Sequence, residues 1–150
     1  MNQGSQFCTF YLDQLLFGVA LNDVQEVLRS FDMTRVPLAP PVVRGLINLR
    51  GEIVTAVDLR HQLEFAPRPD SAAAMNVVVR SEDGVVSLLV DEIGDVVEVE
   101  DSTFELPPET LRGRVREMIT GVHKLKERLL LVLDTARACE MKPREPAAEP

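Results

Sequence analysis

The chain has no tryptophan, one tyrosine and six phenylalanines in 150 residues, so aromatic rings make up only 5% of it. A core without large rings must be assembled from valine, leucine and isoleucine, and the abundance of valine favours strands, where a branched side chain packs well on a pleated surface. Histidine and cysteine are equally scarce. His61, His123, Cys8 and Cys139 are the only four, and none falls in a metal-ligand or nucleophile–base spacing. A glycine-rich phosphate loop is missing too. The parts from which an enzyme is built are therefore absent, and no cofactor or metal is expected. No apolar run approaches the ~18 residues of a membrane-spanning helix. Basic charge is in deficit: 16 Lys and Arg against 24 Asp and Glu leave a net charge of −8. That argues against nucleic acid and against anionic membranes, both of which call for a basic footprint. The expectation is a cytoplasmic protein whose two cysteines are reduced core residues.

What is present is enough for a sizeable core, since 45% of the residues are hydrophobic and 27% charged. The segments 7–12 and 15–21 flank a short Asp-Gln and read as an opening hairpin. From Asn22, with Gln25 three places on, Val24, Val27, Leu28 and Phe31 recur at helical spacing, which predicts an N-capped helix. MTRVPLAPPVV is extended and closes into a turn before Arg44. Two strand-like runs then surround Arg50-Gly51. Residues 64–74 form the candidate linker, 75–90 a second hairpin and 115–134 a third pair, and 142–150 a disordered tail.

The chain also matches itself. Positions 44–63, RGLINLRGEIVTAVDLRHQL, lie without gaps on 120–139, TGVHKLKERLLLVLDTARAC, so that Gly45 meets Gly121, Arg50 meets Lys126 and Asp58 meets Asp134. FGVALNDVQEV (17–27) lies on VSLLVDEIGDV (86–96). The same order of elements occurs twice, which points to two small antiparallel barrels, closed so that their edges are hidden. The expected subdomains are 15–64 and 75–140, with one terminus crossing over to complete the other sheet. The copies differ at one turn. Asn48, Arg50 and Gly51 become Lys124, Lys126 and Glu127, which marks the first turn as specialised.

FGVALNDVQEV, MTRVPLAPPVVRGLINLRG, IVTAVDLR, VVSLLVDEIGDV and LLLVLD, in this order across about positions 6 to 140, resemble the CheW-type coupling proteins of bacterial chemotaxis. The resemblance implies an all-β fold with short helices, made of two SH3-like five-stranded barrels, and a non-enzymatic adaptor recruited to membrane-associated receptor arrays. The adaptor would link the cytoplasmic tip of a chemoreceptor to the regulatory domain of a CheA-type histidine kinase, and could join other CheW-like proteins in rings. Carried over by position, Val24, Glu26, Val27, Arg50 and Gly51 match residues of receptor or kinase coupling, assigned here to a receptor-binding groove; Gly45 and its neighbour Leu46 are assigned to kinase contact. An alternative is a self-contained ligand- or peptide-binding sensory module, or an adaptor of a non-flagellar pathway. From spacing alone Val24 and Val27 belong to a core face. Glu26 has three readings, a local pair with Arg29, a pair with Arg50 that shapes the groove, or a direct contact with a partner. Arginine's rigid fork of donors suits a partner's carboxylates or carbonyls.

Overall fold

The computed structural model describes residues 4–29, 32–69, 74–82 and 84–141. The tail expected at 142–150 lies outside them. Eleven strands form two sheets. The first half of the chain gives β1 (Gly4–Leu12), β2 (Leu15–Ala20), β3 (Val24–Leu28), β4 (Val43–Leu49) and β5 (Glu52–Asp58). The second half gives β6 (Met75–Ser81), β7 (Gly84–Val90), β8 (Glu92–Glu100), β9 (Phe104–Glu105), β10 (Ile119–Lys124) and β11 (Leu129–Leu133). Short helices α1 (Leu59–Gln62), α2 (Arg114–Met118) and α3 (Thr135–Ala138) complete it.

The five-stranded sheet runs β3-β6-β7-β5-β4 and the six-stranded sheet β8-β1-β2-β11-β10-β9. Each takes strands from both halves of the chain, so the subdomain limits drawn at 15–64 and 75–140 do not coincide with the sheets. The hairpin β1–β2 pairs with β11, and the hairpin β6–β7 pairs with β5, both in parallel. The crossover is a reciprocal exchange of hairpins: the N-terminal β1–β2 completes the sheet of the second half, and β6–β7 completes that of the first.

The repeat is carried through to single hydrogen bonds. Val43 pairs with Val57 and Gly45 with Ala56 across a bulge; the matched Ile119 pairs with Leu133 and Gly121 with Val132 across the same bulge. Asp58 and Asp134 each end a strand and cap the helix that follows, accepting from the N–H of Arg60 and of Arg137. The six-stranded sheet owes its extra member to β9, whose counterpart in the other sheet is the single bridge between Thr34 and Leu46.

The helix expected from Asn22 is a 3-10 turn at Leu21–Asp23 followed by strand β3, and Asn22 caps nothing with its side chain. A bulge explains the misleading spacing. Val24 pairs with Val79 and Val27 with Val77, three residues on β3 against two on β6. The additional residue returns Val27 to the face of Val24, and a bulged strand thereby imitates an i, i+3 pattern. β8 carries the same irregularity against β1, between Ile93 and Val96.

Three apolar clusters follow from this topology. Ile47, Leu49, Val54, Ala56, Val78 and Leu89 fill the five-stranded unit, and Phe7, Leu16, Val99 and Leu130 the six-stranded one. The largest cluster lies between them and draws on both, with Phe10, Phe17 and Val19 from one sheet against Val57, Val77, Val79 and Leu88 from the other. Cys8 and Cys139 are both buried and free, and burial pushes the Cys139 thiol up to about 12.

Exchange of hairpins makes the two barrels one folding unit. Fragments produced by cutting within 70–73 should each be unfolded alone by far-UV circular dichroism and should regain strand signal when mixed. A folded isolated fragment would contradict the exchanged topology.

Candidate functional site

Arg50 and Gly51 are the two central residues of the tight hairpin between β4 and β5, closed by the pair Leu49 and Glu52. Both have positive φ, 52° and 92°, as a type I′ hairpin turn requires. Gly51 is there for its backbone, because a Cβ would meet nothing within 4 Å. Asn48 secures the turn by accepting the Gly51 N–H at 2.9 Å. Arg50 has no such excuse for a left-handed backbone, which costs a non-glycine residue about 1 kcal/mol. The turn spends that strain to hold the guanidinium out from the end of the sheet.

Arg50 Nη2 donates to Glu26 Oε2. Of the two intramolecular pairs considered for Glu26, the long-range one with Arg50 is formed. Glu26 stands opposite Val78 at the open edge of the five-stranded sheet, and its side chain is 18% exposed against 74% for Arg50. The pair joins an edge strand to the distal turn of the hairpin, and most of the fork still faces outward. Val24 is half-buried against the shared core, whereas Val27, on the same face, is 38% exposed at its rim. Glu26, Arg50 and Gly51 are thus brought together, whereas Val24 and Val27 lie on the other face of β3, toward the shared core.

Gly45 and Leu46 lie on β4, under the strip 33–34. Gly45 is buried, and a Cβ there would come within 2.7 Å of the Thr34 carbonyl oxygen. The matched Gly121 is constrained in the same way, by the Glu105 carbonyl at 2.6 Å and the Phe104 ring. At both positions glycine is needed because another backbone crosses. Gly45 thus sets the position of the outer strip, including half-exposed Met33.

A second group of residues escaped the sequence reading. Asp91, between β7 and β8, receives Arg60 at 2.9 and 2.7 Å, Arg68 at 2.8 Å and the Asp13 N–H at 2.9 Å. Arg60 also donates to Asp13 and to the Ala66 carbonyl. Burial would raise the Asp91 carboxyl, but hydrogen bonds from Arg60, the Asp13 amide and Arg68 outweigh it and hold the group at about 2. The cluster ties the β1–β2 turn, α1 and the crossing before β8 to one another. Its signal was present in the repeat, where Arg60 is matched by Ala136 while the preceding strand-end aspartates agree. Gln62 was missed as well; its amide donates to the carbonyls of Ala138 and Glu140, which joins α1 to α3. The two histidines are far apart in kind: His61 is exposed on α1, and His123 is buried on β10.

Two outcomes test this geometry. Gly45→Ala should destabilise the fold by about 1–3 kcal/mol through overpacking, read from chemical denaturation; a change within about 0.5 kcal/mol would mean the strip 33–34 does not press on β4. The Asp91 contribution is complete above pH 3.8, the ordinary value, and is lost as pH falls through about 2. Asp91→Asn should therefore start less stable at pH 5 and lose less than the parent between pH 4 and 2. Parallel melting curves would refute this assignment.

Comparison with known proteins follows the same lines. Residues 6–142 match the family model described as a CheW-like domain. The chain is 32% identical over 133 residues to a chemotaxis protein CheW of Klebsiella aerogenes, covering 87% of this chain and 79% of that one. It is 29% identical to a chemotaxis protein CheW of Treponema pallidum, covering 86% and 78%. The crystal structure of the scaffolding protein TtCheW from Thermoanaerobacter tengcongensis superposes with a TM-score of 0.84 at 23% identity, over 97% of this chain and 99% of that one. With its two strand-exchanged sheets and the family model spanning nearly its whole length, this chain belongs to the CheW-like domain family.

Proposed function

We propose that the chain is a chemotaxis adaptor that couples the signalling tip of a chemoreceptor to a CheA-type histidine kinase, acting through contacts and not through chemistry. Family membership supports the adaptor role. The single observation that supports a receptor surface at the β4–β5 turn is the Glu26–Arg50 pair, held by a positive-φ turn. One donor of the fork is engaged with Glu26, and among the described residues Arg50 has no other recorded partner. The remaining donors are available to carboxylates or carbonyls of a partner helix.

In this reading Glu26 sets the direction of the fork, Val24 and Val27 offer apolar surface on the other face of β3, and Gly51 permits the turn. Gly45 and Leu46 serve the kinase side by setting the position of the strip 33–34. The adaptor works in the cytoplasm at receptor arrays. Among the described residues, no helix is long and apolar enough to cross a membrane, so attachment to the array would run through the receptor.

Arg50→Glu should lower stability by about 1 kcal/mol, because it sets a second carboxylate beside Glu26, while the fold is kept. It should weaken binding of a receptor-tip fragment at least about tenfold, since a donor fork is replaced by an acceptor. Lys126→Glu, at the matched turn, should do much less. The double variant Glu26→Arg with Arg50→Glu separates two roles. Recovery of binding would mean that the pair only shapes the surface, and continued loss would mean that Arg50 itself touches the receptor. Equal effects of the two single turn variants, or none, would remove Arg50 from the site.

A further inference from the structure

We propose that His123 is a proton-operated latch on the outer edge of the six-stranded sheet, where a second proton on the imidazole detaches β9 and the turn before it from β10. The inference is independent of the adaptor reading and begins from an asymmetry of the repeat. His123 occupies, inside the six-stranded unit, the position that Ile47 occupies inside the five-stranded one, and the two are 2% and 0% exposed. One barrel has an aliphatic core residue there and the other an ionisable ring.

The surroundings of His123 are built for the neutral form. Its ring lies between Phe7 of β1, at 5.7 Å, and Phe104 of β9, at 5.5 Å. Nδ1 is 2.8 Å from the Thr103 hydroxyl, which in turn is 2.8 Å from the Glu100 carbonyl. A hydroxyl has one proton; directed at that carbonyl, it leaves its oxygen to accept from Nδ1–H. The second proton would therefore go to Nε2, on a ring that is 2% exposed and has almost no contact with water to solvate a charge. Burial lowers the affinity of the ring for that proton, opposed by the charge of Asp101.

The charged groups around the ring do not supply an escape. Asp101, in the turn at Asp101–Thr103, is engaged with the Ser5 hydroxyl. Glu105 of β9 and Lys124 of β10 pair with each other at 3.4 Å. Glu98 and Glu100 of β8 are exposed, β1 contributes Phe7 and no charge, and Leu130 of β11 stands opposite His123.

What yields is set by the topology. β9 is two residues long and is held to β10 through two pairs, Val122 with Glu105 and His123 with Phe104. Phe104 seats on Gly121, where any side chain would collide with its ring. A charged imidazole can thus reach water by displacing β9 and its turn, without opening the sheet. The matched edge of the other barrel, a single bridge at Thr34 beside Ile47, has nothing to titrate and is an internal reference.

The sign follows from the lowered proton affinity. The closed latch is fully stable above the ordinary value of 6.5. It weakens as pH falls below that value, until the pH reaches the lowered value of the closed form. One proton is taken up on opening, so the open population rises at most tenfold per pH unit in that window.

Amide exchange read by NMR between pH 8 and 5 and corrected for intrinsic rates tests the proposal. In the wild-type chain, protection of Val122 and Glu105, the pair that joins β10 to β9, should fall with pH up to tenfold per unit, while protection of Leu46, the residue matched to Val122, stays level. His123→Ile, the residue of the matched barrel, should remove the pH dependence. His123→Gln, which keeps a polar atom near Thr103 and does not titrate, is the second variant in case isoleucine disturbs the edge, and should likewise be flat. Loss of protection that persists in either folded variant, level protection in the wild type, or an equal fall at Leu46 would overturn the latch.

Discussion

Phe10, Leu12, Phe17 and Val19 of one sheet are buried against Val57, Val77, Val79, Leu88 and Val90 of the other, and all nine are within a few per cent of complete burial. Each such side chain contributes about 1.5–3 kcal/mol on leaving water, so this seam outweighs any single polar contact in the molecule. The inner clusters of the two units are smaller, so the shared seam holds most of the buried apolar surface. The seam also decides where the functional elements stand. β3 ends at its rim, which leaves Val27 half-open, and the Glu26–Arg50 pair closes the edge beside it.

Polar groups do a different task. Asp91 and its two arginines sit where the chain passes from one sheet to the other, so they resist a sliding of one unit past its partner that apolar packing tolerates. A carboxylate receiving several charged or backbone donors has its partners fixed in direction as well as in number. Gln62 does the same between α1 and α3 through the carbonyls left over at the helix end. An adaptor that relays position between two partners needs this stiffness more than it needs stability.

The repeat made much of this fold legible before any coordinates. Gly45 with Gly121 and Asp58 with Asp134 occupy the same bulge and the same cap, because identical backbone demands select identical residues. The hairpin exchange was not legible, since β2 and β7 are equally apolar and either would satisfy β5; the choice is made by geometry across the whole chain. The supposed helix at Asn22 failed for a local reason, a bulge that mimics helical spacing. At the candidate site Arg50 was visible from the contrast between copies. Its partner was one of two possibilities, and only the pairing of distant segments selects it. Arg60 carried the same kind of contrast against Ala136, but nothing near it in sequence pointed to Asp91.

Divide the chain between α1 and β6, and each half holds a hairpin and a remainder that do not pair with one another. A half-length ancestor of this plan would complete its sheets only by trading hairpins with a second copy of itself. Joining two such genes head to tail reproduces the present strand pairing. Fusion also ends the symmetry that a homodimer enforces. Once both copies are encoded separately, the two matched turns are free to differ, as Arg50-Gly51 and Lys126-Glu127 do, and a molecule with two equal ends becomes one whose ends are unlike.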